Sequence, residues 1–264
     1  MKFIHHDQDG GELALVLLEK NYGNHYFIQA FCMLGKKEED WAKIDTTIWC
    51  KLIQDAFVES KKIPELETLA FRMIEWGDCA PIARLLEELG FLKEQDRIEY
   101  RRELAELPGD EGSPLVWSAI PSLEIADLEK VVDLLKQAAV GDPSFDPDAD
   151  SLAELQADLK DFALTTGAHC IHIGHIDGKQ AAVVFVQINP KTKWSRITYM
   201  GLLPEFRGTG LGKWVHRHGF EMMRTQGGSL YHGGTVSTNQ SMIRLFETHG
   251  CKVFRRMQEW KCVR

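Results

Sequence analysis

No apolar run in this 264-residue chain approaches the roughly 20 residues needed to cross a bilayer, which excludes a membrane-spanning helix. The opening residues MKFIHHDQDGG lack an apolar h-region, so no secretory signal is expected. Positive charge is in deficit. Against 39 Asp and Glu stand 31 Lys and Arg, and the net charge of −8 excludes a general attraction to nucleic acid or to an acidic membrane surface. There is no CxxC pair. The six cysteines (Cys32, Cys50, Cys79, Cys170, Cys251 and Cys262) lie far apart, which reads as buried thiols in a cytoplasmic protein. His172 and His175, like His216 and His218, have no carboxylate or Cys arranged beside them, so no metal is expected. What is present is 44% apolar and 27% charged, a soluble globular balance with length for one large domain or two ordinary ones.

The most informative stretch is Ser195–Met222, SRITYMGLLPEFRGTGLGKWVHRHGFEM. It reads as a strand ending at Pro204, a glycine-rich turn, and a helix from about Gly212 with Trp214, Val215, His218 and Met222 on one face. A glycine loop opening a helix offers free backbone N–H groups and the positive end of the helix dipole, an anion site suited to phosphate. Two familiar phosphate loops fail here. Arg207 and Trp214 replace the first glycine and the hydroxyl of a P-loop, and a dinucleotide GxGxxG would need glycine at Lys213. The pattern that fits is Arg/Gln-x-x-Gly-x-Gly/Ala, Arg207 to Gly212.

A turn-rich boundary, LPGDEGSP, spans Leu107 to Pro114. Before it, Glu12–Glu19 and Asn24–Leu34 read as strands, Trp41–Val58 as a helix and Thr68–Trp76 as a strand. Ala80–Leu89 is a helix stopped by Gly90, and Arg97–Leu104 an alternating strand. After the boundary come a strand at Leu115–Ile120 and helices at Leu128–Ala139 and Leu152–Leu164. His169–His175 and Lys179–Ile188 form a hairpin about Asp177-Gly178. Ser229–Val236 is a strand, Gln240–Thr248 a helix stopped at Gly250, and Val253–Val263 a final strand.

This order over Leu115–Arg264, together with the glycine loop, resembles a GNAT N-acetyltransferase domain. In that superfamily the strand before the loop carries Val/Leu-x-Pro, here Leu202-Leu203-Pro204. An Asn follows, then a Tyr seven residues later and a Gly-Phe; this chain has Asn239, Phe246 and Gly250-Cys251. The spacing agrees and two residue types differ.

The chain also repeats itself. A shift of 160 residues lays Arg84–Phe91 over Arg244–Cys251 and Glu99-Tyr100-Arg101 over Glu259-Trp260-Lys261. The fold class expected is therefore α/β with a mixed α+β sheet, as two GNAT-like domains: a degenerate one over 1–110 and a GNAT domain over 111–264. Where the first repeat should carry its loop it reads Gly35-Lys36-Lys37-Glu38-Glu39-Asp40, whose acids oppose a pyrophosphate. A tandem arrangement with one silent half resembles mycothiol-synthase-like proteins, although nothing here points to that substrate.

The resemblance implies direct attack of an amine on acetyl-CoA, a co-substrate, with no metal. It assigns pyrophosphate to the backbone of Arg207, Gly208, Thr209, Gly210, Leu211 and Gly212, and the pantetheine arm to Leu202 and Leu203. The Leu202 N–H would face the thioester oxyanion. Arg207 has two roles open, through its guanidinium or its backbone alone; Lys213 is either a phosphate partner or a solvated helix charge. Asn239 is either an N-cap or a pantetheine partner. Phe246 departs from the family's Tyr, which protonates the leaving thiolate. A free amine of pKa near 10.4 must lose a proton, a cost of about 4.6 kcal/mol at pH 7. His232 is the candidate base, with Tyr199 and Tyr231 as alternatives beside the same opening. The partner expected is a small-molecule or peptide amine, the chain a monomer or homodimer. The rival reading is a non-catalytic acyl-CoA-binding or interaction module.

Overall fold

The computed structural model describes residues 1–6, 11–22, 24–32, 44–75, 78–105, 107, 112–120, 124–142, 167–189 and 191–263. The expected helix at Leu152–Leu164 and the acidic run Gly35–Asp40 lie outside them. The chain forms two compact units: Met1–Ile98 with Arg255–Arg264, and Glu99–Phe254.

In the first unit β1 (Lys2–His6), β2 (Glu12–Tyr22) and β3 (His25–Cys32) make an antiparallel meander. β3 then pairs in parallel with β4 (Thr68–Ile74), from His25 against Thr68 to Ile28 against Phe71. A parallel pair needs a crossover, and α1 (Thr46–Ser60) supplies it. Trp49, Leu52, Ile53, Ala56 and Phe57 bury one stripe of α1. That stripe meets Ile82 and Leu86 of α2 (Ala80–Glu88) and the sheet residues Ile28, Leu69, Phe71 and Met73. Two long strands, β5 (Leu92–Glu103) and β11 (Lys252–Val263), cross the division between the units. The far half of β11, Met257–Val263, pairs antiparallel with β4 and contributes Trp260 to this core.

In the second unit β6 (Val116–Ala119), β7 (Ile171–Ile176), β8 (Lys179–Ile188) and β9 (Trp194–Leu202) run antiparallel in turn. The β7–β8 hairpin turns on Asp177-Gly178, both at positive φ, as the Asp-Gly pair demands. β10 (Leu230–Val236) lies parallel to β9, reached through the crossover helix α4 (Gly212–Thr225). The far half of β5 lies beside β10. α3 (Ile125–Ala139) packs Leu128, Val131 and Leu135 on Val183, Phe185 and Leu203. Ala181–Val186 of β8 are all buried, because α3 covers one face and α4 the other.

The 160-residue repeat is realised in the fold. α2 at 80–88 corresponds to α5 (Gln240–Thr248), and β5 at 92–103 to β11 at 252–263. Even the helix ends agree: Gly90 N–H donates to Glu87 O and Phe91 N–H to Leu86 O, as Gly250 does to Glu247 O and Cys251 to Phe246 O. Sequence reading misses β1, starts β5 five residues late, and reads the inward face of α4 one position off. Its buried residues are Val215, His216, Gly219, Phe220, Met222 and Met223; Trp214 and His218 are only partly covered.

Candidate functional site

β9 and β10 pair only at Trp194 with Leu230 and Ser195 with Tyr231, although β9 continues to Leu202 and β10 to Val236. Beyond that point the strands part and leave a gap. β9 carries an irregularity here: Ile197 stands opposite Val186 and Tyr199 opposite Phe185, so Thr198 is unopposed. The bulge resets the alternation. Ile197 faces α4, where a Cβ on Gly219 would meet its Cδ1 at 2.6 Å, whereas Tyr199 faces α3. Leu203 N–H donates to Ala181 O at 2.9 Å, so by alternation Met200 and Leu202 turn their N–H groups away from β8 and into the gap.

The glycine loop closes the open end of this gap. After a 3-10 turn at Pro204–Phe206, Arg207 is extended and Gly208 and Gly210 have φ of 73° and 82°, a region costly for any side chain. No backbone acceptor among the described residues takes the N–H groups of Gly208, Thr209, Gly210, Leu211, Gly212 or Lys213. Leu211 precedes α4 without a side-chain cap. Six consecutive donors at a helix N-terminus make a strong anion cradle. Thr209 Oγ1 donates to Phe206 O at 2.6 Å and tightens the turn.

Arg207 spends its guanidinium on the main chain. Nε donates to Leu202 O at 3.1 Å, Nη1 to Val140 O at 2.6 Å and Nη2 to Ala138 O at 2.8 Å. Neither of the two roles open to it keeps a donor for phosphate: its own N–H donates to Pro204 O at 3.2 Å, and its side chain ties β9 to the end of α3. Lys213 is exposed, with Nζ 5.0 Å from the ring centroid of Trp214. Asn239 caps α5, its Oδ1 accepting Met242 N–H at 3.0 Å.

The candidate catalytic residues do not converge. His232 lies at the head of the gap, level with Arg196, whereas Leu202 is six residues further along β9, about 20 Å at strand rise. The two cannot act on one carbonyl. Arg101 Nε donates to His232 Nδ1 at 3.4 Å, so the neutral ring carries its proton on Nε2 and has no second nitrogen to accept one. This removes the ground for His232 as base. Tyr199 puts its hydroxyl over Gly201, against Ala138. Burial first, then the Asp142 carboxylate, raise its pKa despite nearby Arg207, so it is a neutral phenol. Phe246 is buried and stacked on Tyr100, ring centroids 4.4 Å apart.

Sequence reading sets His172, His175, His216 and His218 aside; the fold pairs His172 with His218 and His216 with His249. His216, fully buried on α4, has Nδ1 2.7 Å from Nδ1 of His249 and Nε2 3.4 Å from the Tyr231 hydroxyl. On the next turn face, His218 Nε2 lies 2.9 Å from His172 Nδ1, with Trp117 stacked on it at 4.0 Å. Burial holds all four rings below their ordinary pKa, His249 at about 4 and His218 at about 3. No signal in one sequence announces such pairs. Among the described residues no group of three or more His, Cys, Asp or Glu is placed to hold a metal, and no helix is long and apolar enough to cross a membrane.

Residues 129–251 match the Acetyltransferase (GNAT) family. No curated protein sequence matches the chain. Among solved structures, a GCN5-related N-acetyltransferase from Sphaerobacter thermophilus is similar at TM-score 0.71 and 12% identity, over 99% of this chain and 80% of that one. A tandem GNAT protein from the clavulanic acid biosynthesis pathway is similar at 0.62 and 14% identity, over 99% and 82%. A GNAT-family acetyltransferase from Colwellia psychrerythraea is similar at 0.58 and 14%, over 98% and 84%. At these identities the likeness establishes the fold.

Proposed function

Residues 129–251 of this chain match the GNAT acetyltransferase family, and on that premise we propose that the protein moves an acetyl group from acetyl-CoA to an amine by direct attack. The observation that carries the reading is the run of six unpaired N–H groups, Gly208 to Lys213, at the mouth of the gap between β9 and β10. The loop amides take the pyrophosphate. The pantetheine arm enters the gap as an added strand against Met200 and Leu202, while Leu203, its N–H on Ala181 O, stays with β8; the sulfur of the arm points toward the head of the gap at Ser195 and Tyr231. We assign no side chain as base: His232 is engaged by Arg101, and the amine gives its proton to solvent. We place the acyl-transfer domain within 111–264, and a small-molecule or peptide amine as acceptor.

Phe246 favours a second reading, an acyl-CoA-binding module without turnover, because its ring has no proton to give. Calorimetry with CoA and thiol release from acetyl-CoA with hydroxylamine and a panel of amines decide the matter. Micromolar binding with release on at least one amine is expected. Binding without release establishes the module, and absence of binding ends both readings.

A further inference from the structure

The proton that Phe246 cannot supply has another source in the fold. Position 246 is a ring without a hydroxyl, yet a phenol reaches the same place from β10. Tyr231 is the last residue of β10 still paired to β9, so it marks the head of the gap. Its hydroxyl leans over Gly233, where a Cβ would overlap it, and the Phe246 ring carbon Cε1 lies 2.9 Å from that same point. Glycine at 233 is what leaves the space for the hydroxyl. Behind it stand His216, with Nε2 3.4 Å from the phenol oxygen, and then His249, with Nδ1 2.7 Å from His216 Nδ1. Tyr231 and His216 are buried, while His249 is only partly covered at the C-terminal end of α5. The three groups form a single file from the partly covered His249 to the β10 residue at the head of the gap.

We infer that Tyr231 is the catalytic acid of the acyl transfer and that His216 and His249 refill it with protons from water; this rests on the acyl-transfer reading above. The amine nitrogen forms its bond to the acyl carbon and the carbon–sulfur bond breaks, leaving the electron pair on sulfur. Tyr231 gives its O–H proton to that sulfur. His216 Nε2–H passes its proton to the phenolate oxygen, His249 Nδ1–H passes its own to His216 Nδ1, and water protonates His249 Nε2. Both rings end as the opposite neutral tautomer; after CoA leaves, the same hops run in reverse, a proton from water in the emptied gap entering through the Tyr231 hydroxyl to His216 Nε2, His216 Nδ1–H returning to His249 Nδ1 and His249 Nε2–H to solvent. No step places a charge on a buried imidazole. That agrees with burial holding His216 and His249 well below their ordinary pKa, which would block a relay of imidazolium ions.

The test follows thiol release from acetyl-CoA with hydroxylamine or the best amine of the panel, beside CoA calorimetry. Tyr231→Phe keeps the ring and removes the proton. It should lower kcat by on the order of 100-fold with KM and CoA affinity unchanged. Adding Phe246→Tyr to that variant should restore at least a tenth of the wild-type rate. Phe246→Tyr alone should bring no gain in kcat, because the acid is already present. This arm needs no Tyr231 variant to fold. His249→Ala should lose about 10-fold and recover with added imidazole, which a packing defect would not. A Tyr231→Phe enzyme as fast as wild type, or a tenfold gain from Phe246→Tyr alone, overturns the assignment. Absence of CoA binding, or binding without thiol release by wild type, overturns the acyl-transfer reading itself and the relay with it.

Discussion

Helices α1 and α4 hold the same place in their repeats, each crossing from one strand to its parallel neighbour, and they begin in opposite ways. α1 starts at Asp45, whose carboxylate accepts both the N–H and the hydroxyl of Thr47 at 2.8 Å. Those bonds hold its pKa below the usual carboxylate range, so the charge persists. α4 starts at Leu211 without a side-chain cap and leaves six N–H groups for a ligand. The strands beside them part in both places: β3 and β4 pair at four positions before running on to Cys32 and Ile74, and β9 and β10 at two before running on to Leu202 and Val236. One architecture therefore begins its crossover helix either on a capping side chain or on amides left without one.

The most severe way to break the comparison is to part the repeats. Residues 1–110 alone lack β11 and residues 111–264 alone lack β5, strands that complete the other's unit. Each fragment should be insoluble or unfold without cooperativity, and co-expression should restore CoA binding. A soluble 111–264 fragment with full affinity would sink this. Next comes Gly210→Glu, which puts at α4 a carboxylate like that of α1, on a backbone at φ 82°. CoA affinity should fall at least ~100-fold, about 3 kcal/mol, with a melting temperature close to wild type; equal affinity would mean the loop is not the phosphate cradle.

Acid should separate the units. The His216–His249 and His172–His218 pairs belong to the second unit, and their folded pKa values lie below the unfolded value, about 4 for His249 and about 3 for His218. Protons then bind the unfolded chain first, so the stabilisation is complete above about pH 6.5 and is lost as pH falls toward 4 and 3. Denaturant unfolding at pH 7 and pH 4.5 should differ by on the order of 2 kcal/mol for this unit, allowing for the water that reaches His249. A pH-independent midpoint contradicts the pairing. The smallest effect is expected from Arg207→Ala, which frees three carbonyls without touching the loop amides. CoA affinity should drop about 10-fold, or about 1.4 kcal/mol, and a loss as large as that of Gly210→Glu would show direct phosphate contact.

Much of this was legible where local pattern decides structure. The Asp177-Gly178 hairpin, α5 with its Asn239 cap, and the 160-residue register all follow from turn chemistry and apolar spacing. The glycine loop stands out by its pattern, and among the described residues no backbone acceptor takes its amides from Gly208 to Lys213. What escaped was non-local. β5 opens with Leu92-Lys93-Glu94-Gln95, largely exposed and without alternation. The inward face of α4 was displaced because His216 and Gly219 carry no apolar signal, one being held by His249 and the other making room for Ile197. The three carbonyls on Arg207 and the file behind Tyr231 join residues up to 69 positions apart, which no window of sequence contains.

The far half of β11 belongs to the unit that begins the chain. During synthesis, the first unit therefore cannot finish its sheet when its own residues emerge. β4 waits with one edge open until Met257–Val263 have been made, with the whole second unit translated in between. Over that interval an unpaired strand edge and part of an apolar core are exposed, the condition in which chains aggregate or exchange strands with a neighbour. The two repeats are then joined in folding by the strand that closes the first unit's sheet last.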